Sequence, residues 1–245
     1  MISSADNSAD LRIGTAGWSI ASRYADLIPA PGSHLERYAR HLNAVEINSS
    51  FLKPHQHKTY ERWANATPAH FRFAVKLPKA VSHDNALADC GALLDRFVGE
   101  VTGLGDRLGV LLLQLPPKQA FDPKVFDVFL EELRGRIDTP IALEPRHASW
   151  FTAEVDGRLK ERRIARVAAD PARVPGAGEP GGWQGLAYYR WHGAPRVYYS
   201  DYDDAALAAL RHRLSESHRR KIPTWCIFDN TAASAALGNA MAVMP

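Results

Sequence analysis

The stretch Leu108-Gly109-Val110-Leu111-Leu112-Leu113-Gln114-Leu115-Pro116-Pro117 reads as a β-strand over Leu108–Leu115, stopped by two prolines. Similar short runs recur at Leu11–Gly17, Ala44–Asn48, Phe71–Leu77, Pro140–Glu144, Ile164–Ala169, Leu186–His192 and Thr224–Asp229. Longer amphipathic patterns alternate with them, at Leu35–Leu42, His57–Ala66, Ala86–Val98, Lys124–Leu133, Ala153–Arg162, Ala205–His218 and Ala232–Met241. Strand and helix in regular alternation predict βα units and a parallel sheet. Eight strands is the number that closes a barrel, and 245 residues suit the roughly 250 typical of that fold. The expectation is therefore α/β, a single-domain TIM-type (β/α)8 barrel over residues 11–245, with a doubly wound open sheet as the main rival. Pro171–Gly182 reads as an extended loop after the sixth strand.

Residues two apart in a strand share a face. Val45 and Ile47, Phe71, Phe73 and Val75, Leu111 and Leu113, Ile141 and Leu143, and Ala165 and Val167 form apolar faces suited to a ring of helices. The opposite faces carry small or polar residues: Gly14 and Ala16, Glu46 and Asn48, Ala74 and Lys76, Gln114, Glu144 and Arg146, Arg166, Ala168 and Asp170, and Tyr188, Arg190 and His192. Pointing inward, these would make a ladder of charges that have to be paired.

At 46% hydrophobic and 23% charged residues the composition is that of an ordinary globular protein. No run approaches the roughly 18–20 apolar residues of a membrane span. The start, MISSADNSAD, lacks a basic and apolar leader, so residues 1–10 are expected to be a disordered lead-in and the protein cytoplasmic. Cys90 and Cys226 have neither disulfide nor zinc spacing. A formal charge of +3 is too small to declare a nucleic-acid binder. The basic run from Arg211 to Lys221 reads as a solvated helix face.

In barrels the site lies at the carboxyl ends of the strands. That separates Arg12, Arg72 and Arg166, near strand starts, from Glu46, Lys76, Gln114, Glu144, Arg146, Asp170, Arg190, His192, Asp229 and Asn230 at strand ends. Glu46 and Glu144 could supply an acid and a base, or simply pair with cations. His192, before Gly193, is a third catalytic candidate, while His83 and His147 follow strand ends in the same way. Asn230-Thr231 opens a helix after the last strand, where backbone N–H groups attract anions. Trp18 and other aromatics at strand ends could stack on a sugar or base. No compact metal motif and no dinucleotide fingerprint occurs. No cofactor is predicted, and a divalent metal is left open.

Several motifs occur in order: Gly14-Thr15-Ala16-Gly17-Trp18, Val45-Glu46-Ile47-Asn48-Ser49-Ser50-Phe51, Phe73-Ala74-Val75-Lys76-Leu77-Pro78 with Ser82-His83, Leu111-Leu112-Leu113-Gln114-Leu115-Pro116-Pro117, Glu144-Pro145-Arg146-His147-Ala148-Ser149-Trp150, and Tyr189-Arg190-Trp191-His192-Gly193. From about Arg12 to Ala240 the chain resembles the YecE-like family of unknown function, DUF72. The resemblance implies a TIM-type barrel and no settled activity. Its motifs fall on Glu46, Asn48, Lys76, His83, Gln114, Glu144, Arg146, His147, Arg190, His192 and Asn230. Ala16 departs from the serine common there, Leu52 from an aromatic and Val110 from a proline.

The leading expectation is an enzyme, hydrolase-like, acting on a small anionic substrate, phosphorylated or sugar-like. Lys76, Arg146 and Arg190 would neutralise the anion, with Glu46, Glu144 and His192 catalytic. Trp18, Asn48, His83, Gln114, His147 and Asn230 complete the expected binding set. The alternatives are a nucleic-acid-binding or processing protein, on the fold likeness of the family to endonuclease IV, and a non-catalytic metabolite-binding barrel.

Overall fold

The computed structural model describes residues 11–245, so the lead-in expected over residues 1–10 lies outside the described residues. Strands β1 (Leu11–Thr15), β2 (Ala44–Ile47), β3 (Arg72–Lys76), β4 (Leu108–Gln114), β5 (Ile141–Glu144), β6 (Ile164–Arg166), β7 (Ala168–Asp170), β8 (Gly181–Gly182), β9 (Ala187–Trp191) and β10 (Thr224–Phe228) form two sheets. One runs β1-β10-β9-β7, all parallel. The other runs β2-β3-β4-β5-β6, parallel, with β8 antiparallel on β6. Thus the segment expected as loop over Pro171–Gly182 ends in a short strand.

Helices α1 (His34–Tyr38), α2 (Ser49–Leu52), α3 (His57–Asn65), α4 (Gly91–Val101), α5 (Pro123–Arg134), α6 (Ala153–Glu161), α7 (Asp204–Arg219) and α8 (Ala236–Ala242) fill the connections. Their starts are encoded locally. Ser33 and Glu36 form a capping box for α1, Asp122 caps α5 ahead of Pro123, and Thr152 and Asp203 cap α6 and α7. The helix expected over Ala86–Val98 begins only at Gly91, because Ala86, Leu87 and Asp89 are left-handed. The one expected over Ala232–Met241 begins at Ala236, after left-handed Ser234.

Alternation along the strands divides the buried side chains into two groups. Val45, Ile47, Phe73, Val75, Leu111, Leu113, Ile141 and Leu143 join helix residues such as Leu94, Phe97, Phe129 and Leu159 in the larger core. Ala44, Ala74, Val110, Leu112, Ala142, Ala165, Val167, Tyr188, Trp225 and Ile227 make a second cluster from both sheets, with the Tyr188 and Trp225 rings stacked 5.9 Å apart. The parity expected for the sixth strand is reversed. Ala165 and Val167 lie in the second cluster, whereas Ile164 and Ala168 join the larger core. Alternation runs unbroken from Ile164 to Ala168, so the whole segment presents the opposite face to the one expected, while its pairing passes from β5 to β9. Val167 donates its N–H to Leu143 O at 2.9 Å, and the chain breaks there into β6 and β7. Arg166 then reaches outward to Asp156 on α6, at 3.2 Å.

The closed hydrogen-bonded ring expected from eight strands is not found. Between β1 and β2 the only ladder contact among the described residues is the Ala16–Glu46 bridge. Side chains do the rest of the pairing. Asn43 accepts from Ile13 N and donates to Leu11 O, both at 2.8 Å. The Tyr38 hydroxyl accepts from Thr15 N at 2.8 Å and donates to Ala44 O at 2.9 Å. Gly14 makes the seam sterically feasible, since a Cβ there would sit 2.1 Å from Ala44 O. Among the described residues no helix is long and apolar enough to cross a membrane.

Tyr38→Phe would strand two buried backbone groups at this seam. We expect it to cost about 1–3 kcal/mol in urea unfolding, the cost of an unsatisfied buried donor and acceptor; an unchanged midpoint would mean that the seam is bridged otherwise.

Candidate functional site

Tyr188, Arg190 and His192 alternate along and just past β9, so all three side chains share its inner face. Arg190 is fully buried, a position that a guanidinium can occupy only if carboxylates surround it. Three do. Its Nε donates to Glu46 Oε2 at 3.0 Å and its Nη2 to Glu46 Oε1 at 2.6 Å, a bidentate pair. Nη1 donates to Glu144 Oε2 at 2.5 Å, and Nη2 also donates to Asp229 Oδ2 at 2.9 Å. The carboxylates come from the ends of β2, β5 and β10, so the arginine links the two sheets.

The remaining polar groups extend outward from this centre. Tyr188 donates its hydroxyl to Glu46 Oε2 at 2.8 Å, which leaves both oxygens of that fully buried carboxylate engaged. Gln114 and Glu144 are register partners on β4 and β5, and Gln114 Nε2 donates to Glu144 Oε1 at 2.9 Å. Lys76 Nζ donates to Gln114 Oε1 at 2.8 Å. Arg146 lies within 3.0 Å of Glu144 Oε1 through Nε and 2.9 Å through Nη2. His192 stands between two carboxylates, with Nδ1 3.1 Å from Asp229 Oδ2 and Nε2 3.4 Å from Glu144 Oε1.

These contacts set the protonation states. Burial alone would raise the Glu144 carboxyl, but Arg190, His192 and Arg146 hold it well below the usual carboxylate range. Asp229 is likewise lowered, since Arg190 and His192 outweigh its burial. For His192, burial and Arg190 disfavour the cation while Glu144 and Asp229 favour it, and the balance lies above the ordinary value. Lys76 is pushed down to about 8, by burial first and by Arg190 second. The cations Lys76, Arg146 and Arg190 match the carboxylates Glu46, Glu144 and Asp229 in number. A further anion at the mouth is therefore favoured chiefly when His192 is protonated or where Arg146 and Arg173 border the rim.

The expected site residues divide accordingly. Glu46, Lys76, Gln114, Glu144, Arg146, Arg190 and His192 meet in one network. Trp18 does not join it and packs edge-on against Trp63, 5.0 Å between centroids. His147 accepts from Ser149 N and closes the helical turn after β5. Asn230 donates to Ser200 O and Asn239 Oδ1, fastening the loop after β9 to α8. Its Oδ1, like that of Asn48, is buried without a partner among the described residues. His83 packs on Phe51, 4.9 Å between centroids, the ring over which Lys76 Nζ sits at 4.0 Å. Asp229 and Tyr188 received no role from the sequence, although the strand-end position of one and the inward parity of the other marked them. Among the described residues no group of three or more His, Cys, Asp or Glu side chains is arranged to hold a metal ion.

Arg190→Met would leave buried carboxylates facing an apolar side chain. Breaking such a centre is expected to cost about 3–5 kcal/mol, read as the shift in urea midpoint. The pH dependence follows from the directions above. Glu144 and Asp229, depressed when folded, stabilise at pH above the ordinary values of 4.5 and 3.8, and this is lost as pH falls through their folded values. His192, raised when folded, stabilises below its ordinary 6.5, and this is lost as pH rises through its folded value. Lys76, lowered from 10.5 to about 8, makes stability rise with pH between those two values. Denaturation profiles of wild type and His192→Gln should diverge near neutrality; parallel profiles would show that His192 is not held between charges.

The chain is similar to two curated proteins over part of its length. It is 32% identical over 151 residues to the UPF0759 protein YecE of Escherichia coli, covering 58% of this chain and 54% of that protein. With the UPF0759 protein YunF of Bacillus subtilis it shares 29% over 148 residues, 57% of this chain and 52% of that one. The chain thus spans about half the length of the curated relatives it matches. A crystal structure of a DUF72 family protein from Enterococcus faecalis superposes with a TM-score of 0.80 at 21% identity, covering 95% of this chain and 94% of that one. One from Thermotoga maritima gives 0.77 at 24% identity, covering 95% and 96%. These likenesses show the mixed α/β fold, and the model of the family described as "Protein of unknown function DUF72" matches residues 12–245. The chain belongs to the DUF72 family.

Proposed function

We propose that this protein is an acid–base enzyme for a small anionic substrate, with His192 as the proton-transferring group and Arg146, helped by Lys76, as the anion contact. The observation that carries the proposal is the placement of His192. Its Nδ1 is held by Asp229, its Nε2 faces Glu144, and the ring lines a narrow cleft with Glu144, Arg146, Arg173 and Val197. A histidine oriented by a carboxylate on one nitrogen is a standard arrangement for proton transfer near neutral pH. The cleft has room of ≈ 10 Å³, about one water, so a substrate group enters as neighbouring side chains yield.

In this reading the carboxylates expected to be catalytic act as holders. Glu46 has both oxygens bound and no exposed surface, and Glu144 positions Arg146 and His192. Arg190, enclosed by carboxylates, leaves anion binding to Arg146 and Lys76. The same reading takes the two sheets as arcs of one eight-stranded barrel whose ring is completed at the seams by side chains. Support comes from the inner cluster shared by both sheets and from the ion pairs that Arg190 makes across them.

The test is a thermal-shift screen with inorganic phosphate, sugar phosphates, small carboxylic acids, mononucleotides and a short DNA duplex. A compound at a hundred times its Kd should add about 2.7 kcal/mol of stability. We expect a small anion to raise the melting temperature of wild type and His192→Gln but not of Arg146→Ala, with turnover lost in His192→Gln. Stabilisation by DNA alone, weakening steeply with salt, would replace this proposal with the nucleic-acid reading. Turnover that survives His192→Gln would overturn the role given to His192, and binding of the anion with no turnover in the wild type would leave a binding barrel.

A further inference from the structure

Lys76 differs from every other lysine among the described residues, all of which are exposed. It is 8% exposed, at the carboxyl end of β3, where Ser50 donates to its carbonyl at 2.6 Å and fixes the strand end. Carboxylates occupy the same network, yet Nζ donates to the neutral amide oxygen of Gln114. The amine also sits 4.0 Å above the Phe51 ring, and the His83 ring packs against that same Phe51. A buried amine held by a neutral acceptor, over an aromatic ring that an imidazole also touches and in the field of Arg190, is an environment in which part of the lysine is neutral and can act as a nucleophile.

We propose that Lys76 forms a Schiff base with the aldehyde or ketone group of a small substrate whose carboxylate or phosphate is held by Arg146. This rests on the anionic-substrate reading above and names the substrate class. The Nζ lone pair forms a bond to the carbonyl carbon, and the carbonyl π electrons move to oxygen, which takes a proton. Nζ gives up one of its protons, the carbinolamine hydroxyl takes up another and leaves as water, and the nitrogen lone pair closes the C=N bond. Overall, amine, carbonyl compound and one proton give iminium and water, with no change of oxidation state. His83 carries the protons at this stage. Burial, with Lys76 and Arg146 nearby, holds its imidazole below the ordinary 6.5, so at neutral pH it is a base. The lysine's own value of about 8 leaves roughly two to three hundredfold more neutral amine at neutral pH than an ordinary exposed lysine has.

Trapping with sodium borohydride tests this directly. The intact chain is incubated with dihydroxyacetone phosphate, pyruvate or glycolaldehyde, reduced, digested and mapped by mass spectrometry. The expected result is a single reduced adduct on Lys76 with at least one phosphate- or carboxylate-bearing probe. Its formation rate should rise with pH through about 8, and Arg146→Ala should lower adduct yield from the charged probes more than from neutral glycolaldehyde. Mapping in the wild type needs no variant that fails to fold, and Lys76→Arg, which keeps the charge, should abolish the adduct. No adduct with any probe, or adducts spread over exposed lysines with Lys76 unmodified, overturns the inference. If small anions still stabilise the wild type through Arg146 in that event, the function proposed above stands without it; if they do not, both fall.

Discussion

Arg190 is the constraint to which the rest of the structure answers. A guanidinium without solvent contact is tolerable only with its donors occupied by opposite charge, and Glu46, Glu144 and Asp229 provide that from three separate strands. Because those strands belong to two sheets that, among the described residues, the Ala16–Glu46 bridge joins only at one point between β1 and β2, the ion pairs hold together what backbone hydrogen bonding joins sparsely. The inner apolar cluster works toward the same end, as its members come from both sheets and include the stacked Tyr188 and Trp225.

Much of this was legible from period-two alternation. The inward set Glu46, Lys76, Gln114, Glu144, Arg190 and His192 follows from parity plus position at strand ends, and these residues do form one network. What alternation cannot report is pairing. It assigns Arg190 to the interior without saying that three carboxylates enclose it, and it treats Glu46 and Glu144 as equals although His192 faces only the second. Trp18 shows the converse limit. Its place after β1 is legible, but distance in sequence concealed Trp63, the ring that it packs against.

The fold was legible to a similar depth. Strand and helix segments follow from hydrophobic pattern and capping residues, but ring closure depends on seams that no pattern marks. At β1/β2 the pairing is carried by Asn43 and Tyr38 side chains, and a sequence shows those only as a polar residue before a strand and an aromatic in a helix. At β6/β7 the pairing passes from β5 to β9 at Val167 with no turn residue to announce it. Left-handed residues without glycine, at Ala86, Leu87 and Asp89, delayed α4 in the same unannounced way.

The enclosure of Arg190 also bears on how such a sequence can drift. Loss of any one of the three carboxylates leaves the cation under-compensated, and loss of the arginine leaves mutually repelling anions in a dry interior. Neutral wandering at these positions one at a time is therefore closed off, and change has to pass through compensated pairs or not at all. The peripheral contacts of Arg146 and Lys76 carry less of that penalty, so the rim can change around a centre that stays fixed.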